Sequence, residues 1–270
     1  MLGDKNILCV VTARGGSVGL PGKNYRKFVL KPLFIWSVLA ALQSKYIDLV
    51  IVSSNCPHVE KDCKEFKEWF SHCKRTKISI NPFDDKFSNF ELSVGNARNN
   101  VKFLKRPEEF ATAVSKNEDA LIHALDYCSE KGIDFDIVMN LQPTSPIRQK
   151  TLIDSALEEM INGGYDSALT VSEHTPFFIK KNTDNSLEWF YDPKNRPMRQ
   201  EILPSEMMLH DDGCLYIVKT DILLKNHCRI GKNPFIKIND SFSSYQIDTE
   251  QDFLIVEKIK KEIEKTNKYI

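Results

Sequence analysis

Several features that mark whole classes of protein are missing from this chain. No apolar run approaches the roughly 18 residues that a membrane span needs, which argues against a membrane partner. Charge of neither sign is in excess: 37 Lys and Arg balance 37 Asp and Glu. Bulk attraction to nucleic acid is therefore excluded as a principle of function. The seven cysteines are odd in number and contain no C-x-x-C pair, so no disulfide framework is expected. Cys63, His72 and Cys73, with His58 not far away, match no closed tetrahedral zinc spacing and read as thiols on a polar helix. The first apolar stretch, residues 7–13, is too short and too poorly flanked to be a secretion signal. There is no internal repeat and no low-complexity tract. What remains is 270 residues with 41% hydrophobic and 27% charged side chains, ordinary usage for a chain able to bury a sizeable core. The expectation is a soluble, cytoplasmic protein.

Short apolar runs alternate with longer amphipathic stretches. Residues 7–13, 48–54, 136–141, 167–171 and 213–218 read as strands, the first buried on both faces. Helices are expected over 32–45, 60–72, 150–161 and from about Thr249 onward, and from a capping box at Ser115 and Glu118 to about Glu130. This alternation predicts an α/β fold, a mostly parallel, Rossmann-like sheet with helices on both faces. Ligands in such sheets sit beyond the carboxyl ends of the strands. Two segments break the rhythm: an insertion at about 74–102, rich in Asn, Asp, Lys and Ser, and a segment at 174–212, rich in Pro, Asn and aromatics. The domain reading is a core of residues 1–173 and 213–270 with an arm at 174–212.

The strongest local signal follows the first strand: Arg14-Gly-Gly-Ser-Val-Gly-Leu-Pro-Gly-Lys-Asn24. Its glycines permit close backbone approach, consecutive N–H groups can form an anion nest, and Arg14 and Lys23 add positive charge at each end. These parts suit a polyphosphate. The pattern is neither the P-loop nor the dinucleotide fingerprint. Gln142-Pro-Thr-Ser-Pro146 lies just past another strand end, where two prolines stiffen the turn.

The segment Ala13–Asn24 with Lys31-Pro32-Leu33, Arg106-Pro-Glu-Glu-Phe-Ala111, Leu141-Gln-Pro-Thr-Ser-Pro146, Arg199-Gln200 and Ile247-Asp-Thr-Glu-Gln-Asp252 resembles the acylneuraminate cytidylyltransferases in order and spacing, over about three quarters of the chain. The resemblance implies a nucleotidyltransferase fold with a protruding dimerisation arm. It also implies joining of CTP to a nine-carbon 2-keto sugar acid, with a magnesium (or manganese) ion and a homodimer. Ala13, Arg14, Gly15, Gly16, Ser17, Lys23, Asn24, Arg106, Ser115 and Asn117 are then the nucleotide side, with Arg14 and Lys23 catalytic. Gln142, Thr144, Arg199 and Tyr216 are the sugar side, and Asp248 is the metal ligand.

The departures from the family pattern are specific. Gln246 stands where the family has a second aspartate before Asp248. Asn55 replaces a common aspartate, Ser115 and Asn117 replace Ala and Ser, and His210-Asp-Asp-Gly213 lacks an arginine and an asparagine. Two other readings stay open beside the leading one: a sugar nucleotidyltransferase using a sugar 1-phosphate or a different base, and a nucleotide-binding protein without catalysis.

Overall fold

The computed structural model describes residues 5–76, 81–84, 88–90, 100–266 and 268–270. Seven strands form the central sheet: β1 (Ile7–Thr12), β2 (Leu49–Ser54), β3 (Asn100–Lys105), β4 (Ile137–Leu141), β5 (Ser167–His174), β6 (Met208–Lys219) and β7 (Pro234–Ile238). Their spatial order is β7-β5-β6-β4-β1-β2-β3. β1 runs parallel to both β2 and β4, β2 to β3, and β7 to β5, while β6 is antiparallel to β4 and β5. The mostly parallel α/β architecture expected from sequence is thus present, with one reversed strand.

The side-chain period of two in a strand splits the core into two layers. Ile7, Cys9 and Val11 of β1, Val50 and Val52 of β2, and Ile137 and Met139 of β4 pack with helices α1 (Leu33–Gln43), α2 (Pro57–Thr76), α4 (Leu152–Asn162) and α6 (Glu250–Ile263). Leu8 and Val10, Leu49 and Ile51, and Val138 face the opposite way, toward α3 (Asn117–Ser129) and α5 (Thr220–Asn226). Strands covered on both faces need apolar residues at every position, which is why β1, β2 and β4 are such dense runs.

Four differences from the sequence expectation have identifiable causes. β3 and β7 were not among the expected strands; β3 is an edge strand whose apolar positions, Val101, Phe103 and Leu104, are mixed with Asn100, Lys102 and Lys105, and β7 is only partly covered. β6 starts at Met208, earlier than Gly213, and its first four residues are at least partly exposed, with an irregular register between Asp211 and Tyr216. Ser115 does not cap α3. Its Oγ accepts the Thr112 N–H at 3.0 Å, and the Asp119 carboxylate accepts the Lys116 N–H at 3.2 Å in its place. Most of the 74–102 insertion lies outside the described residues; Asn81–Asp84 pairs antiparallel with Ser88–Phe90 there. In the arm, Ile179–Lys181 pairs antiparallel with Leu187–Trp189.

Candidate active site

β1 and β4 are neighbours, yet the chain leaves β1 toward β2 and β3 and returns on the other side with β4. This is a topological switch point, where the loops beyond the strand ends diverge and leave a crevice. A cavity of about 300 Å³ opens there. The loop after β1 contributes Arg14, Ser17, Val18, Gly19, Lys23 and Asn24. Arg106 comes from the end of β3, Ser115 and Asn117 from the start of α3, Gln142, Pro143 and Thr144 from the turn after β4, and Asp248 from the residue before the cap of α6.

The loop is held by contacts to other elements. Arg14 Nη1 donates to the Thr112 carbonyl at 2.5 Å, the Gly15 N–H donates to Asn55 Oδ1 at 2.9 Å, and Asn24 Nδ2 donates to the Arg14 carbonyl at 2.8 Å. Asn55 in turn donates to Glu108 at 3.0 Å. Its amide therefore does what a carboxylate could do only by half, accepting and donating at once. Gly19 is demanded by space, since a Cβ there would lie 2.5 Å from the Asp248 carbonyl oxygen. Gly22 is demanded by conformation, with φ at +70° leading into the turn Lys23–Tyr25.

Three cations and one carboxylate line the cavity: Arg14, Lys23, Arg106 and Asp248. Arg106 is only 3% exposed. It donates from Nε to Ser53 Oγ at 3.0 Å and from Nη2 to the Ser53 carbonyl at 2.9 Å, and no carboxylate among the described residues pairs with it. Burial, and secondarily the charge of Arg14, push its guanidinium down to about 10. A cation desolvated without a counter-charge is costly, and an anion entering the cavity relieves that cost. Lys23 Nζ donates to the Ile247 carbonyl and to Asp248 Oδ1, both at 2.8 Å.

The sequence-predicted residues divide into three groups. Arg14, Ser17, Lys23, Asn24, Arg106, Ser115, Asn117, Gln142, Thr144 and Asp248 converge on the cavity. Ala13, Gly15 and Gly16 do not line it; Ala13 is buried with its N–H on the Ser53 carbonyl, and Gly16 is exposed. Arg199 and Tyr216 are not brought to it either. Arg199 is exposed on the arm. Tyr216 is buried in β6, donating its hydroxyl to Asp211 Oδ1 at 2.6 Å beneath the Arg229 guanidinium. Burial and the Asp211 carboxylate hold that phenol up at about 12. Asp248 does not cap α6. Thr249 does, its Oγ1 accepting the Asp252 N–H at 3.2 Å while Asp252 accepts the Thr249 N–H at 2.8 Å.

Arg148 is the residue that sequence reasoning missed. Fully buried, it donates to the Gln142 carbonyl at 2.8 Å, to Ser37 Oγ at 3.0 Å and to the Cys214 carbonyl at 3.0 Å. It thereby ties the 142–146 turn to α1 and β6. Nothing in the local pattern signals this, because an arginine after a proline turn ordinarily faces solvent.

A divalent ion held by the protein alone does not fit this donor set. Asp248 is the one cavity carboxylate and it is already paired with Lys23. Gln246 donates its amide to the Asp212 carbonyl, and no cluster of three or more His, Cys, Asp or Glu suited to a metal occurs among the described residues. Among the same residues, no helix is long and apolar enough to cross a membrane.

The chain is similar to known cytidylyltransferases. A cytidylyltransferase family profile matches residues 8–89, from β1 into the insertion. The chain is 25% identical over 258 residues to post-translational flagellin modification protein B of Campylobacter coli, covering 95% of each. It is 27% identical over 259 residues to the CMP-N,N'-diacetyllegionaminic acid synthase of Legionella pneumophila, covering 94% of this chain and 95% of the relative. With the N-acylneuraminate cytidylyltransferase of Escherichia coli it shares 26% identity over 250 residues, which are 92% of this chain but half of that protein. A solved CMP:2-keto-3-deoxy-manno-octonic acid synthetase, in complex with CTP, superposes with a TM-score of 0.58 at 17% identity, covering 95% of this chain and 99% of that one. The fold is thus of the nucleotidyltransferase type. The chain is similar to the cytidylyltransferases, acylneuraminate and legionaminic acid enzymes among them, with a family profile over residues 8–89 and relatives at 25–27% identity.

Proposed function

We propose that this protein transfers CMP from CTP to a 2-keto sugar acid of the nine-carbon class (sialic, legionaminic or a related acid), releasing pyrophosphate. The observation that carries the reading is the convergence of Arg14, Lys23 and Arg106 on one cavity, facing Gln142 and Thr144 across the switch point. The anomeric hydroxyl of the sugar attacks the α-phosphorus in line. The new P–O bond forms as the bond from the α-phosphorus to the α–β bridging oxygen breaks, that electron pair leaves with pyrophosphate, and the hydroxyl proton passes to solvent. Little covalent chemistry falls to the protein. Arg14 and Lys23 offset the charge that builds on the phosphoryl oxygens and the leaving group, with N–H groups and Ser17 of the loop as further donors. Arg106 neutralises the nucleotide from beneath, while Ser115 and Asn117 face it from α3. Gln142 and Thr144 offer hydrogen bonds to the polyol on a turn that Arg148 holds rigid. Magnesium enters this scheme with the substrate, as the metal–CTP complex.

Arg199 belongs to the scheme as the fork for the sugar carboxylate, with Tyr216 on the same side. The arm also supports a homodimer in which it reaches the cavity of a second copy. Phe178, Trp189, Phe190, Met198 and Leu203 are exposed on it, an apolar surface of the kind that interfaces cover. Light scattering at micromolar concentration should give twice 31.1 kDa, and a monomer would remove this part of the proposal.

The deciding experiment is pyrophosphate release with a panel of nucleoside triphosphates against sialic, legionaminic and related acids and sugar 1-phosphates, with mass spectrometry of the product. A CMP-sugar acid is expected. Turnover only with a sugar 1-phosphate or another base, or CTP binding without turnover on any sugar, would overturn the reading.

A further inference from the structure

We infer that the cavity of this protein holds no divalent-cation site of its own and gains one only with the bound triphosphate, because Lys23 holds the place of the ion on Asp248. The inference rests on the reading of the cavity as a CTP site. The ammonium of Lys23 sits 2.8 Å from Asp248 Oδ1 and is fixed from behind by the Ile247 carbonyl at 2.8 Å, with only 12% of the side chain exposed. The remaining groups nearby are committed elsewhere. Asp252 accepts the N–H groups of Asp248 and Thr249. Gln246 is neutral, and its amide is turned to the Asp212 carbonyl against Gly213, where a Cβ would lie 2.5 Å from Nε2.

The balance of charge points the same way. Arg14, Lys23 and Arg106 against Asp248 leave the cavity with two positive charges in excess. A free divalent cation, strongly hydrated and in need of several oxygen ligands, would have to enter a repulsive field and displace an ammonium to reach one carboxylate. A triphosphate reverses both conditions. Its oxygens outweigh the excess positive charge, attract Lys23 away from Asp248, and bring most of the ligands that the ion requires.

Mn²⁺ binding to the full chain, followed by electron paramagnetic resonance, tests this without turnover. The protein alone should show no site tighter than millimolar, and one bound ion per chain should appear when a non-hydrolysable α,β-methylene CTP analogue is added. Lys23→Met should free the Asp248 carboxylate and tighten Mn²⁺ binding to the nucleotide-free protein by about tenfold or more, while weakening the analogue. A micromolar Mn²⁺ site in the nucleotide-free wild-type protein that Asp248→Asn abolishes would overturn the inference, as would an Mn²⁺ affinity unchanged by Lys23→Met in a folded protein. Calorimetry of the analogue separates the two levels of argument. Failure to bind at any metal concentration overturns the CTP reading itself, whereas binding of the analogue beside a nucleotide-independent ion site overturns only the inference.

Discussion

The loop after β1 and the arm after β5 are both irregular, and they differ in what they are tied to. The loop is bonded to the rest of the chain: Arg14 to Thr112, Gly15 to Asn55, Lys23 to Ile247 and Asp248. The arm is bonded largely to itself. Lys180 pairs with Glu188, Asn182 with Ser186, the Met198 N–H with Glu201 and the Leu203 N–H with Glu206, and Arg196 lies over Phe177. A loop anchored to distant elements is preorganised, and its charges act without reorganisation at the moment of reaction. A self-contained arm with exposed aromatics keeps its shape but leaves its outer surface uncovered. The proposed phosphate side of the site is therefore assembled from residues of one chain, while the proposed carboxylate fork stands apart from it.

The largest effect should come from the anchored side. Lys23→Ala removes a fixed cation and is expected to lower kcat by about a hundredfold or more, the usual loss on removing one charge-stabilising donor. Circular dichroism should stay native, and near-normal pyrophosphate release by the folded variant would take the loop out of the chemistry. The arm should respond more weakly and more selectively. Arg199→Lys keeps the charge but loses the planar fork, so KM for the sugar acid should rise about tenfold, with KM for CTP nearly unchanged. Equal changes in both constants would make Arg199 a structural residue of the arm.

The same contrast explains what was legible in the sequence. β1, β2 and β4 could be read because burial on both faces demands unbroken apolar runs, and the phosphate loop could be read because anion binding needs glycines and cations in one short stretch. Of the ten predicted site residues that meet at the cavity, Arg14, Ser17, Lys23 and Asn24 belong to that stretch, and the other six were placed by the resemblance to a known family. What could not be read depends on partners distant in the chain. The buried fork of Arg148 bridges residues 37, 142 and 214, and the Lys23–Asp248 pair spans 225 positions. Edge strands β3 and β7 escaped because half-covered strands mix polar and apolar residues. Asp248 and Thr249 are both capping residue types, and only the geometry assigns the role to Thr249.

α6 offers a test of whether the loop inherits its order from the helix that begins beside it. Lys260, on α6, is fully buried, its Nζ without a hydrogen-bond partner among the described residues and 4.4 Å from the Trp36 ring centroid. Burial pushes its ammonium down to about 7, opposed by Glu264 and aided by Lys150 and Lys31. The unfolded chain then binds more protons between about 7 and the ordinary 10.5, so this group makes stability rise with pH across that window and fully destabilises the fold below it. Lys260→Met should flatten the rise and stabilise the protein most at and below neutral pH, read from urea midpoints at several pH values. Turnover at neutral pH should hardly change. An unaltered pH profile of stability would show that Lys260 is solvated and charged in the folded protein.

The smallest effect separates two adjacent residues. Thr249 caps α6 through a reciprocal pair with Asp252, and losing such a cap costs about 1 kcal/mol. Asp248 makes no cap. Its side chain is 64% exposed and its one side-chain partner among the described residues is the Lys23 ammonium, a pairing worth little to stability at such exposure. Thr249→Ala should therefore lower the melting temperature by a few degrees and leave the requirement for divalent cation as it was. Asp248→Asn should leave the melting temperature nearly constant and raise the cation concentration needed for half-maximal rate. Because the two positions are neighbours on one turn, any general disturbance of that turn would move both readouts in both variants. Only a true division of labour, with the helix held by one residue and the substrate-borne ion met by the other, gives the crossed pattern.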